Sequence, residues 1–148
     1  MHALKPQRGK VPGLLVATAL ALGLAAPSAA SVASPTQIAP KSGSVLTAGS
    51  QPTFKVRDAS ASARRYGVFV TVSTSKKLTA RGDLKKTDIG TFAKMKRRGS
   101  VFSYKTPLYS FPTWFMVRAG TYYWQAFRID CSVKGCHVHT KVRSFKVQ

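Results

Sequence analysis

Period-two alternation is the feature that most limits what this chain can fold into. In the run from Tyr66 to Ser73, Tyr66, Val68, Val70 and Val72 alternate with Gly67, Phe69, Thr71 and Ser73. Successive side chains of a strand point to opposite faces, so this spacing predicts a strand with one buried face. Phe54 and Val56 alternate with Lys55 and Arg57 in the same way. Val101 to Lys105 reads as a short strand, Tyr122 to Ile129 as a longer one, and Val138 to Val147 as the last. Thr91 to Lys96 reads as an edge strand, where positive charge discourages pairing with another chain. No stretch after residue 30 sustains the three-and-four apolar spacing of an amphipathic helix. Lys41-Ser42-Gly43, Arg81-Gly82-Asp83, Arg98-Gly99-Ser100 and Ala119-Gly120 supply turn chemistry between the strands. The pattern predicts an all-β domain, a sandwich of about seven antiparallel strands.

Two details refine the last strands. Alternation puts Tyr122, Trp124 and Ala126 on one face and Tyr123, Gln125, Phe127 and Ile129 on the other. Both sets carry large apolar groups, which predicts a bulge or a strand buried on both faces. Val142 and Phe145 are out of phase, which also predicts a bulge.

The N-terminus follows another logic. Lys5, Arg8 and Lys10 precede an apolar run from Leu14 to Ala26, and Ser28 and Ala30 suit a cut after Ala30. This is the order of a secretory signal peptide. A membrane span takes roughly 20 apolar residues, and Pro27 ends this run sooner. A cut after Ala33 is the near alternative. The expected organisation is a signal peptide over 1–30, a flexible lead-in over 31–39 and the β-sandwich over 40–148, in a secreted protein with no integral membrane segment after cleavage.

Several segments resemble a known family. Pro40-Lys41-Ser42-Gly43 with Pro52-Thr53-Phe54, then Tyr66 to Ser73, then Ala119-Gly120-Thr121-Tyr122-Tyr123-Trp124-Gln125, then Arg143-Ser144-Phe145-Lys146-Val147 occur in order. Together they resemble the fibronectin type III and Ig-like β-sandwich domains of secreted bacterial proteins, over roughly residues 38–147. Val56 stands where a Trp is common in such domains, Ala119 replaces the usual Pro, and residues 75–99 have no counterpart. The resemblance implies a β-sandwich without a cofactor, used for binding, spacing or adhesion, with no fixed catalytic residues. It also implies a tyrosine corner, a hydroxyl sent back to the preceding loop by Tyr122 or Tyr123.

Cys131 and Cys136 are the only cysteines, separated by Ser-Val-Lys-Gly between two expected strands. Export and an even count favour a disulfide between them. So short a ring contributes about 2 kcal/mol in the chain-entropy account. The competing arrangement is a metal site of Cys131, Cys136, His137 and His139, with the two histidines on one side of a strand. A disulfide would remove both thiolates from it.

Charge decides which functions remain. The chain has 24 Lys plus Arg against 4 Asp plus Glu, a formal net charge of +20. The acids are Asp58, Asp83, Asp88 and Asp130. Hydrolases built on paired carboxylates and carboxylate-caged calcium sites are short of ligands here. The 44% hydrophobic content and 10% aromatics argue against a disordered basic tail. Gly-x-Ser-x-Gly, His-Glu-x-x-His and phosphate-cradling glycine loops are all missing, so no enzyme is expected.

The basic residues concentrate at Lys94, Lys96, Arg97 and Arg98, with Lys76, Lys77, Lys85 and Lys86 just before them. Such a cluster draws polyanions. The expected partners are anionic cell-envelope polymers or acidic polysaccharide, with non-specific, salt-dependent nucleic-acid binding also open. In Tyr109 to Met116, Trp114 and Phe115 are candidates for aromatic contact with sugars or bases, against plugging of the core. The alternative function is a structural sandwich whose charge serves solubility only.

Overall fold

The computed structural model describes residues 32–87, 90–107 and 118–148. The proposed leader lies outside them, as do Asp88, Trp114 and Phe115. In chain order the elements are β1 (Thr36–Ala39), β2 (Ser44–Leu46), β3 (Thr53–Arg57), α1 (Ala61–Tyr66), β4 (Val68–Ser73), β5 (Thr91–Lys94), β6 (Lys96–Arg98), β7 (Val101–Lys105), β8 (Gly120–Ile129), β9 (His137–His139) and β10 (Arg143–Val147).

The strands form two sheets. The first has the order β1-β3-β7-β6. The second has the order β2-β10-β8-β4-β5, and β9 pairs with the end of β8 beyond β10. All neighbours are antiparallel except β2, which runs parallel to β10. An Ig-type sandwich has strands A-B-E-D in one sheet and C-F-G in the other. The first sheet here reproduces A-B-E-D as β1-β3-β7-β6, and β10-β8-β4 reproduces G-F-C. The chain is an all-β, Ig/fibronectin III-like sandwich. The described strands outnumber the expected seven because β2, β6 and β9 are three-residue pieces.

The core is the inward set of each alternation. Phe54 and Val56 of β3 face Val68, Val70 and Val72 of β4, Tyr122, Trp124 and Ala126 of β8, and Phe145 and Val147 of β10. The Phe54 ring meets Trp124 edge-on at 5.2 Å and Phe145 at 5.9 Å between centroids. Edge-to-face pairs suit the quadrupoles of both rings. Tyr122 supplies the tyrosine corner: its hydroxyl donates to the Arg118 carbonyl at 2.8 Å.

Three sequence expectations are corrected. Tyr66 ends a helix and does not begin a strand. The Ser60 hydroxyl caps the helix by accepting from the Ala63 amide at 3.1 Å, and Gly67, with φ 89°, closes it. Period-two counting misses so short a helix. The expected lead-in 31–39 is not wholly loose, because Thr36–Ala39 pair with β3. The expected closing strand is two strands, with the break falling between Thr140 and Val142. There the Thr140 hydroxyl accepts from the Ala126 amide at 3.0 Å, bridging the gap between the β9 and β10 pairings. The break absorbs the phase slip between Val142 and Phe145.

Candidate functional site

The outer face of the first sheet follows from register. Lys55 of β3 lies opposite Ser103 of β7, and Ser103 lies opposite Lys96 of β6. One pleat along, Arg57 lies opposite Val101, which lies opposite Arg98. Thr53 pairs with Lys105. Directly paired residues share a face, so Lys55, Arg57, Lys96, Arg98 and Lys105 all project from one side. All five are exposed, while Phe54, Val56 and Phe102, at the alternate positions, are buried. With strands about 4.8 Å apart, roughly 10 Å separates the Lys55 and Lys96 backbones, and consecutive rows stand about 7 Å apart. Neutral Ser103 and Val101 sit between the cations. No aspartate lies on β1, β3, β6 or β7.

The structure divides the sequence-derived basic candidates between the two sheets. Lys96 and Arg98 join the face just described. Arg97 is paired with Phe102 and stays exposed because β6 is an edge strand. Between Lys94 and Lys96 the chain changes sheets, pinned by Met95, which is buried and donates its amide to the Val68 carbonyl at 2.8 Å. Lys94 therefore lies on β5, its ammonium 5.9 Å from the centre of the Phe69 ring on the second sheet. Lys76, Lys77, Lys85 and Lys86 are exposed on the segment joining β4 to β5. Lys55, Arg57 and Lys105 complete the first-sheet face. They were missed because partnership between distant strands is not visible in local spacing.

That joining segment packs against the outside of the second sheet. A bridge between Leu78 and Leu84 closes its tip. Gln125 of β8 grips it from below: its side-chain oxygen accepts from the Leu84 amide at 2.6 Å, and its amide nitrogen donates to the Gly82 carbonyl at 3.1 Å. This cover explains why β8 is buried on both faces, with Gln125 and Phe127 almost inaccessible. Asp83, between the two gripped residues, reaches the β9 histidines. Its Oδ1 lies 2.9 Å from His137 Nδ1 and 2.7 Å from His139 Nε2. Burial opposes ionisation of Asp83, but the hydrogen bonds and charges of His139 and His137 outweigh it and hold the carboxyl below its ordinary range. Phe69, Phe92 and Phe127 stack beside this cluster at 5.4 to 6.0 Å, and Phe92 is half exposed.

The described acids are all engaged internally. Asp58 and Asp130 both pair with Arg128, and Asp83 holds the histidines. Among the described residues, Arg128 is the one Lys or Arg in an ion pair with a carboxylate. The exposed cations therefore face solvent with no such partner there.

Cys131 and Cys136 form a disulfide across the turn from β8 to β9. It takes both thiols, so the four-ligand set of Cys131, Cys136, His137 and His139 does not assemble. Trp114 and Phe115 lie outside the described residues.

No protein-family model and no curated protein sequence matches the chain. Among solved structures, it is similar to fibronectin(III)-like modules of Clostridium thermocellum CbhA, at 13% identity and a TM-score of 0.45, over 76% of this chain and 93% of that one.

Proposed function

We propose that this protein is an exported, non-catalytic binding module whose first sheet attaches to anionic cell-envelope polymers or acidic polysaccharide. The observation that carries the reading is the row of Lys55, Arg57, Lys96, Arg98 and Lys105 on one sheet face with no acid among them. Like charges on one face repel, and a fold that served only itself would gain by interleaving acids. A polymer with repeating negative charge relieves that repulsion and releases its own counterions. Export is supported by the leader pattern and by the disulfide, which belongs to oxidising compartments.

The test is chromatography on an immobilised sulfated polysaccharide at rising salt. The parent is expected to be retained at low salt and released as salt screens the face. Retention that is absent at low salt, or that does not weaken with salt, contradicts the reading.

One observation favours a second reading, a structural sandwich whose charge serves solubility. Lys96, Arg97 and Arg98 form an exposed edge strand, where charge blocks pairing with another sheet. On that reading, neutralising these three causes self-association and leaves polyanion retention unchanged.

A further inference from the structure

The second sheet carries a different chemistry. His137 and His139 are two apart on β9 and share a face with Phe127 and Ile129, their partners on β8. The imidazoles stand 5.7 Å apart, and Phe127 packs on His137 at 4.5 Å and on His139 at 5.8 Å between ring centres. Both rings turn one nitrogen to the same oxygen of Asp83, and the three donor atoms lie within 4.8 Å of one another. Donors on one tetrahedral zinc ion, each about 2.0–2.2 Å from it, stand roughly 3.3 Å apart. Small side-chain rotations would bring these three to that spacing.

The surroundings hold the donors in place. Gln125 fixes the backbone on both sides of Asp83, as described above. Gly82 turns there at φ 84°, and a Cβ on it would lie 3.6 Å from His139. The β8–β9 turn that presents His137 is tied by the Cys131–Cys136 disulfide. Asp83 and His137 also border an open concavity of about 430 Å³. That leaves access for an ion and for a fourth ligand, and Lys86 on its rim suits an anion there.

We propose that Asp83, His137 and His139 form a three-donor site for a first-row divalent metal ion of the zinc class, with its fourth position open to that concavity. Two imidazoles and one carboxylate are the donor types such ions take. The site is independent of the basic face on the first sheet.

The test is titration of the untagged full chain with zinc chloride, read by calorimetry and by the histidine side-chain nitrogen resonances. The expected result is one ion per chain at micromolar or tighter affinity, with the His137 and His139 resonances shifted. The variant His137→Gln/His139→Gln should lose that uptake, and Asp83→Asn should weaken it at least tenfold. Gln125→Ala, which touches no ion, should weaken it by about 10-fold through loss of the support to Asp83. If the parent takes up no zinc in excess, or its histidine resonances stay put, the proposal fails without recourse to any variant. Undiminished zinc uptake by the double histidine variant also overturns it.

Discussion

Arg128 Nη1 lies 2.8 Å from Asp58 Oδ2, with both side chains almost wholly buried. Asp130 approaches the same guanidinium at 3.4 Å, and α1 reaches in through Ser62, whose hydroxyl donates to Asp130 at 2.8 Å. A chain with four acids thus uses two of them to hold one arginine at the end of its sandwich. Replacing Asp58 by Ala leaves a buried guanidinium short of its partner, and is expected to destabilise the fold by about 3–5 kcal/mol. Urea unfolding measures this. Asp58→Ala/Arg128→Met should recover much of the loss, because it removes both charges together.

The same cluster predicts an acid limit. Asp130 is held down to about 2 by hydrogen bonds from Ser132 first and Ser62 next, with Arg128 adding to them. Its folded pKa lies below its ordinary value of about 3.9. Its stabilising contribution is therefore complete above about pH 4 and is lost as pH falls towards about 2. Asp83, also lowered, acts in the same direction. Urea midpoints taken at falling pH should decline through that window in the parent, and decline less steeply in Asp130→Asn.

The basic face predicts opposite effects on stability and binding. Lys96→Glu places a carboxylate across Ser103 from Lys55. It should leave the fold as stable or more stable, by up to about 0.5 kcal/mol, since exposed pairs contribute little. It should also shorten retention on the sulfated polysaccharide. A thermal melt and one column run check both.

The tyrosine corner gives a fourth expectation. Tyr122→Phe removes the bond to the Arg118 carbonyl while leaving the ring stacked on Phe145 at 5.6 Å. The expected cost is about 1 kcal/mol, the ordinary net worth of one hydrogen bond. An unfolding midpoint indistinguishable from the parent's would remove the corner from the account.

The sandwich was legible because its signals are local. Val68, Val70 and Val72 alternate whatever they pack against, and Gly120 to Trp124 carry their turn and corner within a few residues. The hairpin disulfide was legible for the same reason. What failed to show was non-local. Arg128 looks like any other arginine in the sequence, and only the fold brings Asp58, 70 positions away, beside it. Asp83 sits 54 positions from His137, in a segment with no recognisable pattern. The run from Lys94 to Arg98 reads as one basic patch, yet Met95 is a buried corner that sends Lys94 to one sheet and Lys96 to the other. Spacing along a chain reveals a side chain's face but not the strand beside it.

The most direct test of the central claim is the salt dependence of binding to a sulfated polysaccharide, compared between two variants of equal charge. One has Lys55, Arg57, Lys96 and Arg98 changed to Ser. The other has Lys41, Lys134, Lys141 and Lys146 changed to Ser, all exposed and all outside the first sheet's face. If the face is the binding surface, the first variant loses most of the affinity and much of the slope of log K against log salt, while the second keeps both near the parent's. Equal losses in the two variants would mean that net charge alone is felt, and would contradict the account.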